Sequence, residues 1–392
     1  MLDLPHFATL HARRLLFGLL GLGLAAMTHA EPGLGARSVR VGVMMPLSGD
    51  LAEVGSAFVQ GARAAAEEIN RQGGVAGRKI QLLPLDTMNV AADALEQVRD
   101  VLHASASEEQ VFALLGTVGL PSAQAVLPEL EKSGIALIGP LTGLVAHQSE
   151  ARDLIFPVRR PDEEVILGLI KLLDIMAVKQ LAIVHPRTPD ATRQMKMLRD
   201  AAKARGVTVV AQVDVGDTNI DLRAEVAKLT AAHPDVILSL GWYQMTEALV
   251  RQMRAAGYKG LFATHSDVGT LRLMASLKDM SRGLGVASGI PSPYSSALPM
   301  AREFRAAMEH VADAARSPPD EASFEGYLAV RVFADGLRQL AGNPTRSGLR
   351  QALMARPLDI SGLVFDYRSS ANRGLQTPSS LYVMTSQGRV SQ

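Results

Sequence analysis

A chain of 392 residues suits two domains of ordinary size better than one. Its composition, 47% hydrophobic and 20% charged, is that of a globular protein and excludes a collagen, a coiled coil or a disordered tail as the main body. A net charge of +1 argues against a dedicated nucleic-acid binder and a polybasic membrane-surface protein, and the absence of Cys excludes disulfides, cysteine-ligated zinc, iron–sulfur clusters and a thiol nucleophile.

The chain begins with an address. Arg13-Arg14 precedes thirteen uncharged residues at 15–27, and Thr28-His29-Ala30 is a small-x-small site. This three-part pattern predicts a secretory signal peptide over 1–30 with cleavage after Ala30. Thirteen residues make ~20 Å of helix, short of the ~30 Å of a bilayer core. An exported chain without Cys fits the periplasm.

From residue 38 the pattern alternates strand and helix. Residues 38–46 read as a strand ending in Leu47-Ser48-Gly49, 57–70 as a helix stopped at Gly73-Gly74, 79–85 as a strand and 91–103 as a helix. An apolar run at 111–115 ends in Gly116-Thr117-Val118-Gly119, a helix follows at 122–132, and a strand at 135–138. The rhythm repeats: helix 163–173, strand 180–184, helix 191–205, strand 207–213, helix 222–232, strand 236–240, helix 245–256, strand 260–263. The tail reads as helices at 299–315, 323–340 and 347–356, then strands 363–366 and 381–385 paired around a polar loop. Strands separated by helical patterns imply parallel βαβ units with right-handed crossovers, so the fold class is α/β, with two doubly wound parallel-sheet lobes.

In such sheets ligands bind beyond the carboxyl ends of the strands. Ser48, Thr117, Ser122, Leu141 and Thr142 follow three of them. Ser122 is either an anion-binding hydroxyl on the first turn of its helix or a simple cap. Thr142, beside Gly143, makes either a turn bond or a ligand bond. Catalytic signatures are missing: there is no Gly-x-Ser-x-Gly elbow, phosphate-binding loop, His-Glu-x-x-His or paired metal-ligand spacing. Of the six His after residue 30, only His185 and His265 follow strands. No cofactor, metal or nucleic-acid partner is implied, and an enzyme is the least supported class.

Four stretches carry a family resemblance: VRVGVMMPLSGDLAEVGSAFVQGARAAAEEINRQGGVAGRKIQLLPLD (39–86), LLGTVGLPSAQAVLPELEKSGIALIGPLTG (114–143), LAIVHP (181–186) and LGWYQMTEALVRQMRAAGY (240–258). In these the chain resembles the leucine/isoleucine/valine-type periplasmic binding proteins, substrate receptors of branched-chain amino-acid ABC importers. The resemblance runs through roughly 38–385. It implies two lobes joined by three crossing strands: lobe one at 38–157 plus 289–360, lobe two at 158–288 plus 361–392, with crossings near Val158, Gly285–Ser288 and Ile360–Leu363. It also implies a monomeric receptor that closes on a small carboxylate-bearing ligand and docks on a membrane permease.

Carried over residue by residue, the family's carboxylate-binding hydroxyls fall on Ser122 and Thr142, although the family's serine-rich turn is Gly119-Leu120-Pro121-Ser122 here. Its aromatic after the first strand is Val54. One lobe-two tyrosine position falls on Trp242, with Tyr243 beside it, and another near Asp190. The acid that pairs with an α-amine has Asp267 as its nearest counterpart, one position displaced. These departures leave open a carboxylate without an amine. A sensor subunit of a signalling system built on the same fold is the alternative to a transport receptor.

Overall fold

The computed structural model describes residues 31–49, 51–142, 153–175, 177–187, 191–216, 221–265, 269–311, 318–340, 342–368, 373–377, 380–384 and 390–391. The expected signal peptide, Asp190 and Asp267 lie outside the described residues.

The first lobe opens with β1 (Ser38–Met45), α1 (Ala52–Arg71), β2 (Lys79–Asp86), α2 (Ala91–Leu102), β3 (Ala113–Gly116), α3 (Leu120–Ser133), β4 (Leu137–Ile138) and β5 (Ile155–Phe156). The second is α4 (Asp162–Ile175), β6 (Gln180–Pro186), α5 (Ala191–Lys203), β7 (Thr208–Val215), α6 (Arg223–Ala231), β8 (Val236–Ser239), α7 (Tyr243–Ala255), β9 (Leu261–His265), α8 (Thr270–Leu277) and β10 (Leu284–Ser288). The tail adds α9 (Pro299–Glu309), α10 (Glu321–Arg338), α11 (Arg346–Ala355), β11 (Leu358–Ile360), β12 (Leu363–Asp366), β13 (Gly374–Leu375), β14 (Ser380–Met384) and β15 (Val390–Ser391).

Lobe one is a five-stranded parallel sheet of order β2-β1-β3-β4-β5. Its two faces account for the unbroken apolar runs of its strands, since a sheet covered on both sides buries consecutive residues. Val41 and Val43 point to a core shared with α1, α9, α10 and α11, whereas Met44 and Leu114 point to α2 and α3. Lobe two has the order β15-β14-β10-β9-β8-β6-β7, parallel from β7 to β10, with β14 and β15 antiparallel at one edge. Here Ala182 and Val184 meet α6, α7 and α8, while Leu181 and Ile183 meet α4 and α5. The predicted α/β architecture of two doubly wound lobes is what forms.

The tail departs from expectation at one point. The strands at 363–366 and 381–385 do not pair with each other. β12 lies between β11 and β13 in a small antiparallel sheet, and β14 joins β10 in lobe two. Leu363, Phe365, Tyr367 and Leu375 are buried in the core of lobe one, so residues 361–375, expected with lobe two, belong to the first. Tyr367 fixes them there. Its ring meets Phe156 edge-on at 5.1 Å and its hydroxyl donates to the Pro157 carbonyl at 3.0 Å. The third crossing therefore falls after Leu375, not near Ile360–Leu363.

The other crossings run from Val158, in the core of lobe one, to Val165, in a core of lobe two, and from β10 to Ile290. The three lie side by side. Arg160 N donates to Gly289 O at 2.9 Å, and the Arg160 guanidinium donates to Gln376 O at 3.2 Å. Beside them Arg159 and Glu325 form a two-bond ion pair at 2.6 and 2.9 Å, 3% and 1% exposed.

Candidate functional site

In each sheet one strand has neighbours reached by connections running in opposite directions. In lobe one it is β1, between β2 and β3; in lobe two it is β6, between β7 and β8. The crevice at the carboxyl ends of such strands is where a doubly wound sheet takes its ligand. In lobe one that end is built by Pro46–Gly49 after β1 and Thr117–Gly119 after β3; in lobe two by Leu240–Trp242 after β8.

Thr117 is the most unusual residue there. It is fully buried and has φ +97°, a left-handed conformation that a β-branched residue rarely adopts. Gly116 at φ +81° and Gly119 at φ +75° share the turn, which lets the chain double back between β3 and α3. The backbone of Thr117 is held on both sides: its N–H points at Met45 Sδ at 3.4 Å and its carbonyl accepts from Leu141 N at 2.8 Å. Its Oγ1 is buried with no hydrogen-bond partner. Strain and an unsatisfied hydroxyl at one buried position mark a site more readily than a core.

The same turn gathers the other predicted residues of lobe one. Leu141 bridges to Val118 and lines the core. Thr142, next in the chain, is 5% exposed, and Ser122, third residue of α3, is 2% exposed. Gly119 is the N-cap of α3, without a side-chain cap bond, so Ser122 is not the cap of its helix. Ser48 is spoken for: its hydroxyl donates to Asp86 Oδ2 at 2.8 Å, and Leu47 N and Met88 N donate to Asp86 Oδ1 at 2.8 and 3.0 Å. Burial acts to raise the Asp86 pKa, but these bonds outweigh it and hold the carboxyl below its ordinary value. Ser48 thus shapes the loop after β1.

In lobe two Trp242 is the N-cap of α7, half-buried and packed against the core, and Tyr243 is the first helical residue. Tyr243 also hydrogen-bonds to Glu247, and the Arg272 guanidinium stacks on its ring at 4.0 Å. Arg272 then reaches across to Glu53 on α1 at 2.7 Å, so Tyr243, Arg272 and Glu53 connect the lobes. His185, predicted at a strand end, is buried with both ring nitrogens engaged, one with Pro186 O at 2.9 Å and one with Gln212 at 3.1 Å.

Sequence reading missed a second group. Glu321 opens α10 in lobe one and is 7% exposed; Thr270 opens α8 in lobe two and is 2% exposed. The two face each other closely enough for the hydroxyl to favour the ionised carboxyl. Yet neither Thr270 Oγ1 nor Glu321 Oε2 has a hydrogen-bond partner of proper geometry. Burial, reinforced by Asp320, pushes Glu321 up to about 8. No signal in the sequence singled out Glu321, because Asp-Glu before a helix reads as capping. Asp320 does just that, accepting from Ser323 N at 2.8 Å while Ser323 Oγ accepts from Asp320 N.

Among the described residues no group of acidic or His side chains is placed to hold a metal, and no helix is long and apolar enough to cross a membrane. An open depression lined by Arg254, Tyr258, Lys259 and Arg282 sits at the amino ends of β9 and β10, away from this crevice. Arg254 there donates to the carbonyls of Tyr258, Gly260 and Arg282.

The sequence profile of a periplasmic binding protein family matches residues 38–389. The chain belongs to this family. Its members are solute-binding receptors of the periplasm, and the type here is the leucine/isoleucine/valine one. An amino acid binding protein of Pseudomonas aeruginosa is 29% identical over 267 residues, 64% of this chain and 67% of that one. The Leu/Ile/Val-binding protein of Escherichia coli is 24% identical over 273 residues, 69% of this chain and 71% of that one. A substrate-binding periplasmic protein from Ralstonia solanacearum superimposes with a TM-score of 0.81 at 26% identity, covering 90% of this chain and 99% of that one.

Proposed function

We propose that this periplasmic binding protein is the receptor of an ABC importer and holds a small carboxylate-bearing ligand, a branched-chain or related amino acid, between its lobes. The observation that carries the reading is Thr117: a strained, buried threonine with an unpartnered hydroxyl at the crevice of the lobe-one sheet. With Ser122 on the first turn of α3 and Thr142 after β4, it supplies hydroxyls for one carboxylate. Leu141 and the lobe-two aromatics Trp242 and Tyr243 cover the rest of the ligand. Ser48 holds the loop around it.

The ligand is bound by hinge closure: two bodies swing about the three crossings, and the closed form is presented to a membrane permease. In this reading the chain is exported by residues 1–30, cleaved after Ala30, and works as a monomer without a cofactor.

Trp242 is the sole tryptophan of the chain. Residues 31–392, unfolded and refolded to strip carried ligand, are titrated with amino acids, aromatic acids, short dicarboxylates and amides while tryptophan emission is recorded. A saturable shift with carboxylate-bearing compounds is the expected result. No shift and no thermal stabilisation across the panel would overturn the receptor reading.

A further inference from the structure

Asp86, the last residue of β2, divides its carboxylate between two loops. Oδ1 accepts from Leu47 N at 2.8 Å and from Met88 N at 3.0 Å, and Oδ2 accepts from the Ser48 hydroxyl at 2.8 Å. Bonds to an ionised acceptor are the strong ones, so this side chain ties the loop after β1 to the turn at 87–90. That turn is strained. Met88 at φ +48° and Asn89 at φ +59° are consecutive non-glycine residues in the left-handed region, and they leave the side chains of Met88 and Val90 in solvent. Such strain persists only where the surroundings over-determine it. Here the Asp86 bond to Met88 N does so, together with Thr87 N donating to Met45 O at 3.1 Å and Val90 N donating to Thr87 O at 2.8 Å.

The strained pair leans on both neighbouring loops. A Cβ on Gly49 would lie 3.9 Å from Met88 O, and one on Gly119 would lie 3.8 Å from Asn89 Oδ1. Gly119 ends the Thr117 turn and is the N-cap of α3, with no side-chain cap bond of its own. Met45 makes a second link, since its carbonyl accepts from Thr87 N and its sulfur lies 3.4 Å from Thr117 N. The turn after β3 is thus held from the side of β1 and β2 by residues that Asp86 fixes.

We propose that Asp86 is a positioning residue for the turn after β3: through Met88 and Asn89 it braces Gly119, and with it the Thr117 hydroxyl and the first turn of α3. Among the described residues it makes no hydrogen bond to that turn itself. The consequence for ligand affinity rests on the receptor reading above, whereas the brace is a property of the free protein.

Hydrogen exchange read by mass spectrometry on refolded 31–392 tests the brace without a ligand. In Asp86→Ala, exchange is expected to rise about tenfold or more across 46–49, 87–90 and 117–122 and to stay as in the parent across the β1 interior, 41–44. Asp86→Asn keeps an acceptor for the two amides and should fall between. Asn89→Gly removes the side chain facing Gly119, so it should loosen 117–122 and leave 46–49 unchanged. For compounds of the panel that bind the parent, affinity is expected to drop about tenfold in D86A and N89G and less in D86N. Parent-like exchange at 117–122 in either D86A or N89G would overturn the inference, as would a rise that includes 41–44, or raised exchange at 117–122 with unchanged affinity. A panel silent on the parent would remove the receptor reading alone, and exchange at 117–122 would still decide the brace. Should D86A fail to fold, D86N and N89G carry the same test.

Discussion

Thr117 and Glu321 each place an unsatisfied polar atom where an apolar or isosteric group would make a more stable protein. Thr117→Val keeps the branched shape and the strained φ and removes only the hydroxyl. It is expected to raise the melting temperature slightly, by about 1 kcal/mol of stability, while weakening ligand binding tenfold or more. A variant that loses stability or keeps full affinity would place the Thr117 hydroxyl outside the site. Glu321 makes a pH prediction. Its pKa is raised from 4.5 to about 8 by burial, so the unfolded chain releases the proton first. Stability contributed by the protonated carboxyl is complete below about pH 4.5, falls as pH rises towards 8 and is lost above it. Glu321→Gln removes that dependence. Melts taken from pH 5 to 8 should show a gap between variant and parent that widens with pH; a constant gap would mean that Glu321 is already ionised in the folded protein.

At the scale of elements, α10 carries Glu321, which faces lobe two, and Glu325, which pairs with Arg159 at the first crossing. It crosses α1 so closely that a Cβ on Gly61 would lie 1.7 Å from Ser323 O, and one on Gly326 would lie 2.0 Å from Phe58 O. These glycines serve close approach. Gly326→Ala should force the helices apart at a cost of about 1–3 kcal/mol, seen as a lower melting temperature; an unchanged melt would show that the crossing tolerates a side chain. The crossing fixes the register of α10, and one turn separates Glu321 from Glu325, so the acid at the cleft and the acid at the hinge ride on one rigid helix. The helix at Thr270–Leu277 went unread in the sequence, because the short stretch TLRLMASL between polar segments carries too little periodicity. It supplies Thr270, which faces Glu321, and Arg272, which pairs with Glu53, so it takes part in both of these contacts between the lobes.

For the whole molecule the Arg159–Glu325 pair lies where the first crossing leaves lobe one. Glu325→Gln removes the counter-charge of a buried guanidinium and should cost about 3 kcal/mol, whereas a Met pair at both positions should recover most of it, since a buried ion pair is worth little more than good packing. Denaturant melts of the single and double variants read this directly. A single variant as stable as the parent would mean that Arg159 finds another partner. The Arg272–Glu53 bridge is different. Its side chains are 42% and 67% exposed, so Glu53→Gln should change stability by less than about 1 kcal/mol. The effect of that variant belongs in the balance of open and closed forms, read as a change in scattering radius on adding ligand.

The sequence by itself determined the alternation of strand and helix, the two doubly wound sheets and the loops at their carboxyl ends, because local periodicity and glycine turns are encoded residue by residue. Thr117 and Trp242 were visible in it as members of those loops. Tertiary structure alone decided the rest. Tyr367 holds the tail in lobe one through a carbonyl 210 residues away, which moves the third crossing past Leu375. Thr117 is strained and Ser48 is committed to Asp86 only because β1, β2 and β3 lie side by side. Glu321 differs from the engaged acids at 320 and 325 through what faces it across the cleft, and burial against another lobe leaves no mark on the local chain.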